Sequence, residues 1–421
     1  MCRMVNSVPD PEHAPAGRGE RPLAGMRVVE LATLIAGPAI GMLLADYGAE
    51  VVKVEHPKGG DGLRAWGNRR GDTGLYHKVL NRNKRLVTAD LRTPLGVETV
   101  RRLARSADVL IENFRPGTLE AWGLGYEVLA ALNPRLVLVR VSGFGQSGPY
   151  RDRPGFGTLA EAMTGFAYAN GYPDRPPLLP SFALADTATG FAGAFLALAA
   201  LRERERSGRG QVVDLAIYEP LFSMLGPHVI DFDQLGIVQE RDGSRLPIVA
   251  PRNAFRTRDG KWIAVSAGSQ SIFERLCRAL DVPALIDDPR FASNEKRREN
   301  VDALEQVLDQ AFGRLDQAEA LARLEAHEAA AAPVYSVADL VADPHMLARQ
   351  SVVGVPDKAL GCEVRMQNVV GRLSRTPGAI SSAGGALGAD NRAILAGELG
   401  FAEAELAAAG VPLSPAPVEV S

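Results

Sequence analysis

Six short apolar runs recur along the first half of the chain, each set off from the next by helical patterning or by glycine and proline. They are MRVVEL (26–31), EVVKVE (50–55), RLVTADL (85–91), DVLIEN (108–113), RLVLVRVSG (135–143) and QVVDLAI (211–217). Runs this short and this continuously apolar read as strands covered on both faces. Strands that alternate with helices build a parallel sheet, so the fold class predicted is α/β, with an open, mostly parallel sheet.

The texture changes near Gln239. The stretch NAFRTRDGKWIAVSAGS reads as two strands with Asp259-Gly260 as the hairpin signal, and amphipathic helices follow at IFERLCRAL and VDALEQVLDQAF. A chain of 421 residues exceeds one ordinary core. We therefore divide it into a lead-in over 1–21, a large region over 22–225, a small domain over 239–328 and a C-terminal part over 340–421. The lead-in, rich in Pro, Gly and charge, is expected to be disordered, and the proline-rich tail is expected to fray.

Composition excludes several function classes. Acidic residues, 50, slightly outnumber basic ones, 47, and no long basic run occurs, so nucleic acid is not an expected partner. The longest apolar stretch, FAGAFLALAAL (191–201), is about half of a bilayer span and runs into RERER. It is expected to be a buried helix, with no membrane partner. The N-terminal segment lacks the apolar core of a secretion signal, and Cys2, Cys277 and Cys362 form neither a metal spacing nor a disulfide framework. A cytoplasmic location and no metal are the expectations.

Gly37 and Gly41 follow the first strand, and Glu55 closes the second, 18 residues beyond Gly37. This resembles a dinucleotide-binding layout, but LIAGPAIG lacks the first two glycines of that fingerprint. Pro38 belongs in a first helical turn, where its missing N–H costs nothing. An anion at that helix N-terminus is still compatible with the sequence, without a nicotinamide.

Four longer strings together resemble the class III CoA-transferases, the family that includes formyl-CoA transferase and carnitine CoA-transferase. They are AGPAIGMLLADYGAEVVKVEHP, NRNKRLVTADLRTPLG, ADVLIENFRPGTLEAWGLGYEVLAALNPRLVLVRVSGFGQSGP and ADTATGFAGAFLALAALRERERSGRGQVVDLAI. The resemblance runs from about residue 22 to about residue 375. It implies a large doubly wound domain built from both chain ends, a smaller α+β domain between them, and an interlocked homodimer. It also implies an enzyme that moves CoA from an acyl-CoA to a free carboxylic acid, with CoA thioesters as substrates and no tightly bound cofactor. Succinyl-CoA as donor and a small dicarboxylic or hydroxy acid as acceptor are the expected substrates, and Arg252 and Asn253 are candidates to meet a dicarboxylate.

Residue by residue, the resemblance places the nucleophile at Asp186 in ALADTATG. The residues alone read Asp186 as a helix N-cap, whose capping amides would keep the carboxylate ionised. In the implied mechanism the carboxylate attacks the donor thioester, and an acyl-aspartyl anhydride and CoA thiolate form. The thiolate then attacks the aspartyl carbonyl, leaving a covalent aspartyl-CoA thioester for the acceptor acid. The matching CoA positions are Ile35, Ala36, His56, Ala89, Asp90, Leu91, Arg92, Asn113, Phe114 and Arg115, which supply cations for phosphates and an apolar wall for adenine. The racemase branch of the superfamily carries a histidine within the segment matching 151–166; this chain has none there, which favours transfer over racemisation. Gly157 and Glu161 stand where relatives commonly carry Asp and Gln. The SAGSQS loop (266–271) falls where formyl-CoA transferase has a glycine-rich lid, but it reads equally as a strand-to-helix turn capped by Ser or Gln.

Overall fold

The computed structural model describes residues 21–413. The expected disorder before residue 21 and the last eight residues of the expected frayed tail fall outside that range. The chain divides into two compact units. One combines the described residues through Phe166 with 179–229 and those from Arg349 onward; the other comprises 167–178 and 230–348.

The first unit is organised by a six-stranded, all-parallel sheet. Its strands are β1 (Arg27–Glu30), β2 (Glu50–Glu55), β3 (Arg85–Thr88), β4 (Val109–Glu112), β5 (Val137–Ser142) and β6 (Val212–Ala216), in the spatial order 3-2-1-4-5-6. All six apolar runs of the sequence become strands of this sheet. Successive residues point to opposite faces, and the core follows that alternation. Val28, Val51, Val109 and Val137 belong to one apolar cluster, while Val29, Val52, Leu110 and Leu138 belong to another. Helices cover both faces. On one side lie α1 (Ala36–Asp46) and the later 24-residue helix α5 (Leu184–Ser207). The other face is covered by α3 (Pro94–Ala104), whose Thr93 caps its N-terminus, and by Ile394, Leu395, Phe401 and Leu406 from the end of the chain. Between α1 and α3 stands the short α2 (Leu75–Leu80), and α4 (Gly157–Met163) precedes α5. The C-terminal segment thus completes the doubly wound unit that the chain's first half begins.

α5 departs from the expected buried helix. Its inner face is made of small residues so that it can lie directly on α1: a Cβ on Gly190 would stand 2.5 Å from the Ala39 Cβ, and one on Gly193 would stand 2.3 Å from Ile40 Cδ1. Its outer face carries Phe191, Phe195 and Leu198 at helical spacing, and Phe195 is 70% exposed. The apolar content of 191–201 is therefore split between a packed face and an open one. By length and composition α5 could span a membrane, yet half of its most apolar stretch is buried within the protein.

In the second unit, β7 (Arg252–Arg256) and β8 (Trp262–Ser266) form the expected hairpin, turning at Gly260 with φ +79°. β9 (Ala331–Pro333) pairs on the other side of β8. Helices α6 (Gln270–Ala279), α7 (Val301–Phe312) and α8 (Gln317–Ala326) close a core around Phe255, Phe273, Phe291 and Phe312. The sequence placed this domain at 239–328, whereas the compact unit runs from 230 to 348 and takes in 167–178 as well. That short segment belongs here because Gly243 donates its amide to Gly171 O at 2.8 Å and Arg241 Nη1 reaches Tyr168 O, also at 2.8 Å. Beyond this unit, β10 (Val352–Asp357) and β11 (Cys362–Gln367) form an antiparallel pair.

Candidate active site

Strand order decides where a ligand can lie. β1 has β2 on one side and β4 on the other, so the connections leave it in opposite directions and a crevice opens at the carboxyl ends of those strands. The ten residues matched to CoA binding all sit at the carboxyl ends of four adjacent strands. Ile35 and Ala36 follow β1, His56 follows β2, Ala89 to Arg92 follow β3, and Asn113 to Arg115 follow β4.

Their side chains do different things. Ile35, Ala36, Ala89 and Leu91 are buried, so they offer a ligand only backbone and apolar floor. Arg92 and Arg115 are exposed. Arg92 Nη2 lies 3.0 Å from His56 Nε2 and its guanidinium chelates Asp90 at 2.9 and 3.0 Å. The Arg92 hydrogen bonds hold the Asp90 carboxyl down to about 2. His56, Asp90 and Arg92 are thus one surface cluster, although 34 residues separate the first from the second. Phe114 packs edge-on against Trp122, with ring centroids 5.0 Å apart.

Beneath these loops lies a frame that sequence reading did not find. Asn113 clamps the β1 loop from both directions: its amide donates to Thr33 O at 2.7 Å and its Oδ1 accepts from Thr33 N at 2.9 Å. Leu34 is held at φ +64°, a costly conformation for a residue with a Cβ. Its amide donates to Asp61 Oδ1 at 3.0 Å. Asp61 in turn pairs with the buried Lys53, whose ammonium also meets Glu30 and Ala32 O, each at 2.8 Å. Burial opposes the Lys53 charge, but Glu30 and Asp61 outweigh it and raise its pKa above the ordinary lysine value. On the β4 side, buried Glu112 accepts the Phe114 amide at 2.7 Å and the Arg140 Nε at 2.7 Å. Lys53, Asp61 and Glu112 carry no motif; only their burial beside a loop identifies them.

The dinucleotide layout has a packing explanation. A Cβ on Gly37 would meet Ala32 Cβ at 2.3 Å, and one on Gly41 would meet Glu30 Oε2 at 1.9 Å, so both glycines let α1 lie close on β1. Glu55 is buried, and its oxygens take the Asp61 amide at 3.0 Å and the Arg64 guanidinium at 2.6 and 2.8 Å. It has no free edge for a ribose.

Asp186 stands in the first turn of α5, but it is not the N-cap. That position belongs to Ala183, which makes no side-chain cap, because the helix starts three residues earlier than the N-cap reading required. The carboxylate is half-buried, and instead of capping amides it meets a second carboxylate. Burial first, then the Glu161 charge, push the Asp186 carboxyl up to about 6. The expectation of an ordinary, amide-stabilised carboxylate is corrected accordingly. Gly157 lies against it so closely that an added Cβ would stand 2.2 Å from Oδ2. Tyr76 on α2 is a further neighbour; burial and then the Asp186 charge raise its phenol pKa. Ala183, Leu34, Ile35 and Tyr76 share one apolar cluster, which sets the turn bearing Asp186 against the β1 loop. Tyr76 is 110 residues from Asp186, and no local signal joins them.

The other sequence candidates lie on the second unit. Arg252 and Asn253 belong to the second unit, where the Arg252 guanidinium donates to Ser244 O and Asn253 Oδ1 accepts the Ala254 amide. Within SAGSQS, Ser269 caps α6 by accepting the Ile272 amide, which is the strand-to-helix turn reading. Among the described residues no cluster of three or more His, Cys, Asp or Glu forms a metal site.

Loops gathered at the strand ends of a doubly wound sheet, with the half-buried Asp186 carboxylate set against the β1 loop, agree with what residues 23–391 match: CoA-transferase family III. The chain belongs to that family and is a CoA-transferase, an enzyme that uses CoA thioesters as substrates. Among its relatives is the succinyl-CoA–D-citramalate CoA-transferase of Chloroflexus aurantiacus, 46% identical over 362 residues, which are 86% of this chain and 90% of that protein. The succinate–glutarate CoA-transferase of Agrobacterium fabrum is 38% identical over 78% of this chain and 84% of its own length. The crystal structure of a CaiB/BaiF family protein from Brucella suis superposes with a TM-score of 0.80 at 36% identity, covering 90% of this chain and 99% of that one.

Proposed function

We propose that this enzyme transfers CoA from succinyl-CoA to a small dicarboxylic or hydroxy acid, with Asp186 as the covalent carrier. The observation that carries the reading is the Asp186 carboxylate, half-buried, uncapped and set by the Ala183 cluster against the β1 loop. A carboxyl that titrates near 6 is mostly ionised at neutral pH and more basic than a free substrate acid, so it can attack a thioester without a neighbouring base. The succinyl-CoA-dependent names of the Chloroflexus relatives support the donor. Arg92 and Arg115 supply positive charge for CoA phosphates, His56 lies beside Arg92 as a hydrogen-bonding partner, and Phe114 supplies an aromatic wall for adenine.

The test is intact-mass analysis after incubation with succinyl-CoA alone, followed by hydroxylamine and peptide mapping. A CoA adduct in the intact mass, which hydroxylamine releases as CoA to leave a hydroxamate that maps to Asp186, is the expected result. Turnover by an enzyme that never carries an adduct would overturn the covalent route, and failure of succinyl-CoA with every dicarboxylate acceptor would overturn the substrate assignment. The open face of α5, with Phe191, Phe195 and Leu198, supports a homodimer in which a second copy covers it. Light scattering at a monomer mass across micromolar concentrations would rule that out.

A further inference from the structure

We propose that Glu161 is a positioning residue for Asp186: it fixes the backbone of the turn that bears the nucleophile and sets a second carboxylate beside it. The inference rests on Asp186 being the carrier. Gly157 and Glu161 are four residues apart on α4 and therefore share one face, a turn apart. The Gly157 end of that face touches the nucleophile, since a Cβ there would stand 2.2 Å from Asp186 Oδ2 and 2.8 Å from its Cγ. One turn on, Glu161 is 3% exposed, and its Oε1 accepts the Ala185 amide at 3.2 Å.

Ala185 immediately precedes Asp186, and its amide is one of the first-turn donors that have no partner within the helix. Glu161 takes that donor. The carboxylate beside Asp186 is then held in place by the same backbone that carries Asp186, so the two cannot drift apart without breaking the contact. The other titratable neighbour, Tyr76 on α2, is a phenol with its pKa raised, and it stays neutral through the working range. Among the described residues the charge acting on Asp186 therefore comes from Glu161.

This arrangement bears on how the mixed anhydride collapses. When CoA thiolate attacks the aspartyl carbonyl, a C–S bond forms and the bond to the substrate oxygen breaks. The substrate acid leaves with the electron pair as a carboxylate. Attack on the other carbonyl instead expels Asp186 and regenerates acyl-CoA. The less basic carboxylate leaves more readily, so a more basic Asp186 favours the first course and loads the enzyme.

The experiment measures kcat and kcat/KM against pH for the wild type and for Glu161→Gln. In parallel, carbodiimide labelling of Asp186 is quantified by peptide mass at each pH. The wild-type acid limb and labelling midpoint are expected near about 6. In Glu161→Gln both should move below about 5.5, with kcat reduced about tenfold and KM for succinyl-CoA changed by less than about threefold. A midpoint that stays put in Glu161→Gln overturns the proposal. So does a wild-type midpoint near the ordinary aspartate value of 3.8, which decides the matter even if the variant fails to fold. Labelling needs no turnover, so its outcome is separate from whether Asp186 ever carries CoA, which the adduct experiment decides.

Discussion

Replacing Asp186 with Asn keeps the shape of the side chain and removes its charge, so it separates what the carboxylate does for chemistry from what it costs the fold. The folded carboxyl titrates near 6 against an ordinary 3.8, a gap equivalent to about 3 kcal/mol. Asp186 is only half-buried, and solvent screening reduces the figure to about 1.5 kcal/mol. The sign follows from linkage. A carboxyl with a raised folded pKa favours the fold while protonated, and that contribution is lost as pH climbs from about 3.8 to about 6. Above that range the wild type carries the full cost of an ionised group beside Glu161, and Asp186→Asn does not.

The variant is therefore expected to be about 1.5 kcal/mol more stable at pH 7.5, a rise of about 2 °C in the melting temperature of the unit that contains it. At pH 5 roughly half of that advantage should remain. Transfer should fall at least about 1,000-fold, with no adduct at position 186. Scanning calorimetry at the two pH values, with a thioester-exchange assay on the same samples, reads both quantities. An equal stability difference at pH 5 and pH 7.5, or a destabilised variant at pH 7.5, would refute the electrostatic reasoning.

Three further substitutions probe the surroundings. Gly157→Ala places a Cβ 2.2 Å from Asp186 Oδ2, so the carboxylate must move; kcat should drop about 100-fold with KM for the donor little changed, as steady-state kinetics would register. Asn113→Ala removes both contacts to Thr33 and should raise KM for acyl-CoA about tenfold while lowering stability by about 2 kcal/mol, the scale of a buried amide left unpaired; kinetics and urea titration check it. Lys53→Met strands the buried Asp61 carboxylate and leaves Glu30 paired with Lys84 alone, for which a loss of about 3–5 kcal/mol is expected, and a soluble variant with wild-type melting would contradict that.

The sheet was legible because each strand is buried on both faces and so writes a continuous apolar run into the sequence. Val28 and Val29 point to opposite cores, and both must be apolar. The Asp259-Gly260 hairpin was legible for a similar reason, since a tight turn restricts local backbone chemistry. The loops that collect His56, Asp90, Arg92 and Asn113 were reached through longer strings of resemblance, which record which positions co-occur without recording why.

What the sequence determined by itself was the strand pattern, the family and the position of Asp186 near a helix start. What only the tertiary structure decided was the state of that carboxylate. The Ala185 amide in the same turn is taken by Glu161, 24 residues earlier, the near side of the carboxylate is closed by Gly157, and Tyr76 stands beside it from a helix 110 residues away. An isolated segment around Asp186 reads as an ordinary cap because the nearest donors in sequence are the amides of its own turn. Folding brings the competing carboxylate and the low-polarity wall from elsewhere. Desolvation and like charge act through space, so no reading of neighbours along the chain contains them.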